Sequence, residues 1–157
     1  MKTLIVFYSR SGITRKVAEE IKQNLDCNIE ELIDKTDRSG SLGYIRSLIN
    51  AFRNSTADLE EIKNDPAEYE LIIIGTPVWA MKMSTPIRTY IKQNNSKFNN
   101  VAFFATASGN NFEGTFNEMK ELIGTPIAEI GFQTKEVNDG TYKPIVAGFA
   151  GKIKEIS

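Results

Sequence analysis

Short runs of apolar, often β-branched residues alternate along this chain with longer stretches in which apolar residues recur every three or four positions. A short continuous apolar run predicts a buried strand, and a helical recurrence predicts one face of a helix. Residues 3–8 give the first strand, with the run Leu4-Ile5-Val6-Phe7-Tyr8. Ile13, Val17, Ile21 and Leu25 then line one helical stripe. Residues 28–33 predict a second strand, and 71–75 (Leu-Ile-Ile-Ile-Gly) a third. Pro86, Ile87, Tyr90 and Ile91 open another helix, and residues 100–106 give a fourth strand. Phe116, Met119, Leu122 and Ile123 mark a helix that stops at Gly124-Thr125-Pro126. Residues 128–136 suit a fifth strand, and Ile145, Phe149, Ile153 and Ile156 line a terminal helix.

Three of these strands are apolar throughout, as parallel strands covered on both faces are. Repeated strand–helix alternation predicts a three-layer α/β fold with right-handed crossovers. One connection, residues 34–70, is oversized. Leu42, Ile45, Leu48, Ile49 and Phe52 form a helical face over 41–53 within it, and 54–66 is polar and predicts a loop. No repeat, low-complexity tract or linker divides the chain. At 157 residues the expectation is therefore one domain, 1–157, carrying an extended 34–70 segment.

Composition narrows the chemistry. The chain has no histidine and one cysteine, Cys27. That excludes a Ser-His-Asp triad, a Cys-His pair, a His-ligated zinc, an internal disulfide and a CxxC redox motif. Redox chemistry would have to be carried by a bound cofactor. With 19 Lys+Arg against 20 Asp+Glu, the net charge is −1, which lacks the basic excess of a nucleic-acid binder. The apolar run at 4–8 is too short to span a membrane and has no small-residue cleavage site after it. The expectation is a cytoplasmic chain that does not insert into membranes.

Ligands of open parallel sheets bind beyond the carboxyl ends of the strands, so three loops matter most. Ser9-Arg10-Ser11-Gly12-Ile13-Thr14 follows the first strand and opens a helix. Three hydroxyls around a glycine, with backbone N–H groups at a helix N-terminus, suit a phosphate; the same residues also suit an ordinary helix cap. Thr76-Pro77-Val78-Trp79-Ala80-Met81 holds the only tryptophan and reads as a loop. Two readings of Trp79 stay open: a flat wall for a planar ring, or a seal on the edge of the core. In Thr106-Ala107-Ser108-Gly109-Asn110-Asn111-Phe112, small residues let a ligand lie against backbone, and Phe112 is placed to cover it. The alternative there is plain turn chemistry. A P-loop GxxxxGK[ST] and a dinucleotide GxGxxG are both absent. Cys27 lies after the first helix, away from the first loop, and reads as a packing residue.

Taken together, these loops resemble those of the flavodoxins. Ser9-x-Ser11-Gly12-x-Thr14 matches the family's [TS]-x-[TS]-G-x-T after strand one, Thr76-Pro77-Val78-Trp79 its second loop, and Thr106-Ala107-Ser108-Gly109 its third. The resemblance implies a flavodoxin-like three-layer αβα sandwich, with a five-stranded parallel sheet of order 2-1-3-4-5 and one non-covalent FMN. Ser9, Arg10, Ser11, Gly12, Ile13 and Thr14 would hold the phosphate. Thr76, Pro77, Val78, Trp79, Ala80 and Met81, with Thr106, Ala107, Ser108, Gly109 and Phe112, would hold the isoalloxazine.

The implied function is electron transfer, with FMN cycling between oxidised, semiquinone and hydroquinone states. The peptide between Val78 and Ala80 is the candidate for control of the flavin N5 position. Its partners would be redox proteins or a small-molecule electron acceptor. Flavodoxins usually carry an acidic excess, which this chain lacks. That keeps a second reading open, an NAD(P)H-dependent FMN quinone or flavin reductase. A third is a non-catalytic FMN-binding module.

Overall fold

A computed structural model describes residues 1–36, 40–43, 45, 49 and 56–156. Strands β1 (Thr3–Phe7), β2 (Asn28–Glu31), β3 (Leu71–Trp79), β5 (Asn100–Ala107) and β6 (Glu129–Gln133) form a parallel sheet in the order β2-β1-β3-β5-β6. This is the expected order 2-1-3-4-5, extended by a two-residue strand β4 (Lys82–Met83) that runs antiparallel to the end of β3. The helices are α1 (Ile13–Leu25), α2 (Thr85–Asn94), α3 (Glu113–Ile123), α4 (Thr134–Asp139) and α5 (Tyr142–Ile156).

The apolar strands divide their side chains between two cores, because successive residues of a strand point to opposite faces. Leu4, Val6, Ile72, Ile74, Phe103 and Ala105 face Ile87, Tyr90 and Ile91 of α2 and Phe116 and Met119 of α3. Ile5, Phe7, Leu71, Ile73, Ala102 and Phe104 face Val17, Ala18 and Ile21 of α1 and Val146, Phe149 and Ile153 of α5. Both faces are thus closed by helices. Each large aliphatic side chain so buried contributes about 1.5–3 kcal/mol.

Two expectations are corrected. Residues 134–136 are not strand: β6 ends at Gln133 and α4 begins at Thr134. Gln133 and Glu136 form a reciprocal cap there, with the Gln133 N–H donating to the Glu136 carboxylate at 2.8 Å. That local bonding satisfies the helix's first amides and overrides the apolar alternation. Residues 76–79, expected in a loop, continue β3.

The oversized 34–70 segment is partly described. Residues 40–43, 45 and 49 are helical, with Leu42, Ile45 and Ile49 exposed. Leu48 and Phe52 of the predicted helical face lie outside the described residues. The polar stretch from 56 onward covers the edge of β2. Lys35 N–H donates to Asp58 C=O at 2.8 Å and Glu60 N–H to Ile33 C=O at 2.9 Å. The buried Glu30 carboxylate accepts the backbone N–H groups of Lys63 and Asn64 at 2.6 and 2.9 Å. Among the described residues, no helix is long and apolar enough to cross a membrane.

Candidate functional site

The carboxyl ends of β1, β3 and β5 lie side by side, since the strands are parallel neighbours in the registers Phe7↔Gly75 and Pro77↔Thr106. Strand order reverses between β1 and β3: the chain leaves β1 for β2 on one side and β3 sits on the other. Such a reversal opens a crevice above the sheet. The three candidate segments lie at these neighbouring strand ends.

In the first loop, Gly12 precedes α1 with φ 91° and ψ −7°, a left-handed turn that costs an L side chain roughly 1–2 kcal/mol. The turn aims the helix N-terminus at the crevice. Bonding within the helix begins with Lys16 N–H to Gly12 C=O at 3.1 Å, so the Ile13 and Thr14 amides face out of the helix end. The half-buried Ser9 hydroxyl accepts the Gly12 and Arg15 N–H groups at 3.0 and 3.3 Å. Its own proton is left to donate over the loop. Arg10 and Ser11 are exposed at the rim, and residues 9–14 contain no carboxylate. The Arg15 guanidinium turns to Glu31 instead, with Nε and Nη2 bonds of 2.8 and 2.6 Å that raise its pKa.

Thr14 sits differently from the expectation. Its side chain is buried and its hydroxyl bonds the Thr106 hydroxyl at 2.8 Å, tying the first loop to the third. Thr106 lies in β5, as the strand expected over 100–106 has it, and Ala107 continues that strand by one residue. Ser108 and Gly109 follow them, exposed at the crevice. Phe112 is committed elsewhere. Its ring lies on Gly131 of β6, where a Cβ would meet it at 2.2 Å, and it stacks on Phe116 at 6.3 Å.

The second segment is a hairpin. Trp79 pairs with Lys82 and Val78 with Met83, and the chain turns at Ala80-Met81 with φ of 49° and 63°. Two left-handed residues are the mark of a type I′ turn. Neither is the glycine or asparagine that such a turn favours, so the sequence carries no hairpin signal. Each left-handed residue costs on the order of 1 kcal/mol. Trp79 is buried and meets Tyr8 edge-on at 5.5 Å, so its ring seals the core under the crevice. Half-buried Pro77 and Val78 and exposed Ala80 and Met81 supply the apolar rim. Thr76 is buried. Its hydroxyl accepts the Ser84 N–H at 2.9 Å and lies 2.9 Å from the Pro77 carbonyl, fixing the start of α2.

Sequence reasoning missed the residues beneath the hairpin. Glu118 on α3 accepts the Met83 N–H at 2.9 Å with one carboxylate oxygen. Its other oxygen accepts Arg88 Nε and Nη2 at 3.0 and 2.7 Å. Arg88 is 1% exposed, and its Nη2 also reaches the Met83 carbonyl at 3.3 Å. Arg88 and Glu118 stand 30 residues apart and come together only through packing of α2 on α3.

The crevice thus offers backbone and hydroxyl donors at one end and apolar, half-buried surface at the other. This donor set suits a phosphate joined to a planar ring: the anion meets N–H groups at a positive helix end, with no competing carboxylate in the loop.

A family model described as flavodoxin matches residues 2–143. A flavoprotein in complex with FMN from Lactobacillus acidophilus NCFM is 28% identical, with a TM-score of 0.68, covering 89% of this chain and 98% of its own. The apo-form of the flavoprotein from that organism, solved by NMR, is 27% identical, with a TM-score of 0.63 over 87% of this chain and 95% of its own. A flavodoxin, WrbA-like protein from Agrobacterium tumefaciens shares the fold at 14% identity, with a TM-score of 0.60 and 98% of each chain covered. No curated protein matches the sequence. With the matched model spanning β1 to the start of α5, and the sheet order and crevice in agreement, the chain belongs to the flavodoxin family.

Proposed function

We propose that the chain binds one FMN in the β1–β3–β5 crevice and transfers electrons through it. The observation that carries this reading is the first loop. Gly12 turns left-handed, the Ile13 and Thr14 amides point out of the helix, and Ser9 keeps a hydroxyl proton to donate. Ser9, Ser11, Gly12, Ile13 and Thr14 would hold the phosphate, Thr14 through its backbone, with Arg10 at the rim. Pro77, Val78, Ala80 and Met81 would border the ring on one side, and Ala107, Ser108 and Gly109 on the other. Thr76, Trp79 and Thr106 support that wall from beneath.

FMN, when bound, accepts electrons and returns them; the chain supplies the surroundings. The apolar rim and the tryptophan buried beneath it would limit solvation of negative charge placed on the ring. The peptide between Val78 and Ala80, which leads into the Ala80-Met81 turn, would be the one to meet the flavin N5 edge. The near-neutral charge favours a second reading, in which NAD(P)H reduces the flavin and a quinone or similar small molecule oxidises it.

The deciding experiment is a fluorescence titration of flavin-free protein with FMN and with riboflavin. One FMN per chain, bound at least about tenfold tighter than riboflavin, is expected from a phosphate site made of several hydrogen bonds. Absence of flavin uptake sinks the reading. Steady-state NAD(P)H oxidation by the loaded protein then separates the two roles: a carrier shows none, a reductase turns over.

A further inference from the structure

The hairpin beside the crevice rests on a single missing side chain. An ideal Cβ on Gly114, in the first turn of α3, would stand 2.8 Å from the Met81 carbonyl oxygen. That is closer than a carbon and a backbone oxygen tolerate, and a backbone atom cannot swing aside as a side-chain tip can. Gly114 has no left-handed φ, so its own conformation does not call for glycine. Glycine is a poorer helix former than alanine. The helix gives up that stability at the one place where the Met81 carbonyl comes down on it.

The same helix holds the other end of the hairpin. Glu118, one turn further on, accepts the Met83 N–H and is itself fixed by the buried Arg88. The Ala80-Met81 turn, left-handed at both residues, is therefore seated at Met81 and tethered at Met83 by one rigid element.

We propose that Gly114 is a positioning residue for the ligand: its lack of a side chain sets the height of the Ala80-Met81 turn, and with it the shape of the ring-side wall. This rests on the FMN reading for its ligand, though not for the seating of the turn. A methyl group at residue 114 lifts the turn by a few tenths of an ångström, since neither the helix nor the backbone carbonyl can yield cheaply. The ring wall moves with it, while the first loop, held to the end of β5 by the Thr14–Thr106 bond, stays in place.

The test compares Gly114→Ala with Gly151→Ala, a helical glycine on α5 whose added Cβ would meet nothing within 4 Å. If both glycines only weaken their helices, both variants gain stability and neither alters flavin binding. We expect Gly151→Ala to raise the melting temperature and leave FMN affinity unchanged. Gly114→Ala is expected to lose that gain, weaken FMN about tenfold, and shift the Trp79 emission of the flavin-free protein. FMN affinity within twofold of wild type, with unchanged Trp79 emission, overturns the proposal. If wild type takes up no FMN, the FMN reading fails by itself, and the Trp79 emission of flavin-free Gly114→Ala still decides the seating. Should Gly114→Ala fold poorly, adding Met81→Gly relaxes the turn and is expected to restore folding and emission; failure of that rescue also overturns the proposal.

Discussion

The Thr14 and Thr106 hydroxyls are bonded to each other at 2.8 Å, linking the first turn of α1 to the end of β5 across 92 residues of sequence. Both side chains are buried, so neither hydroxyl can turn to water for a substitute. Replacing one by valine strands the other, at an expected cost of about 1–3 kcal/mol in urea unfolding. The double Thr14→Val/Thr106→Val variant should lose less than the two singles summed, because no orphan remains. Strict additivity would show that the bond is not what these hydroxyls contribute.

Ser9 differs in kind, because its hydroxyl accepts from the loop and still has a proton to give. Ser9→Ala should weaken FMN by about 1 kcal/mol, roughly fivefold, while leaving riboflavin binding nearly unchanged. Equal losses for both ligands would place Ser9 away from the phosphate.

The Arg88–Glu118 pair is a larger structural stake. Arg88→Met leaves the Glu118 carboxylate beneath the hairpin without its cation, and a broken buried pair typically costs about 3–5 kcal/mol. Replacing both partners with apolar residues should cost less than Arg88→Met alone, as read by urea denaturation. A double variant worse than the single would show that the tether to Met83 outweighs the stranded charge.

Cys27 gives a pH prediction. Burial pushes its thiol from an ordinary 9.0 up to about 11. A thiol reagent at pH 8 should therefore react slowly with the native chain and rapidly in urea. The folded state prefers the protonated thiol, so this contribution to stability is whole below pH 9 and is lost as pH rises toward 11. Burial raises the Tyr90 phenol as well, with the same sign. The melting temperature should fall across pH 9–11, and less steeply in Cys27→Ala; an equal slope removes Cys27 from the account.

The sheet was legible in the sequence because runs such as Leu71–Ile74 cannot be solvated on either face, whatever surrounds them. The first loop was legible as a strand-to-helix turn, because Gly12 among its flanking hydroxyls sits where β1 hands over to α1. What stayed hidden depends on residues far apart or on chemistry without a local mark. Ala80-Met81 makes a hairpin without turn residues, since the anchors that hold it lie on α3. The capping pair Gln133 and Glu136 starts a helix without the serine or threonine usual at that position. Phe112 looked free to cover a ligand, but Gly131 leaves a flat seat for its ring on the core.

The strand registers also bear on the order of assembly. β1 pairs with β2 across 24 residues (Leu4↔Asn28), β3 with β5 across 29 (Leu71↔Asn100), and β5 with β6 across 26 (Phe103↔Glu129). Only β1 with β3 spans 68 (Thr3↔Leu71). Closing that loop costs roughly 0.8 kcal/mol more entropy than closing the β3–β5 one. The chain is therefore expected to condense as two local modules, β1-α1-β2 and β3-through-β6, which dock along the β1–β3 seam late in folding. Low φ-values at Ile5 with higher ones at Phe104 would bear this out, and the reverse pattern would reject it. The crevice straddles that seam, its first loop on one module and the Ala80-Met81 hairpin on the other. A ligand bound there acts as a stitch between halves, holding shut the last join the chain makes.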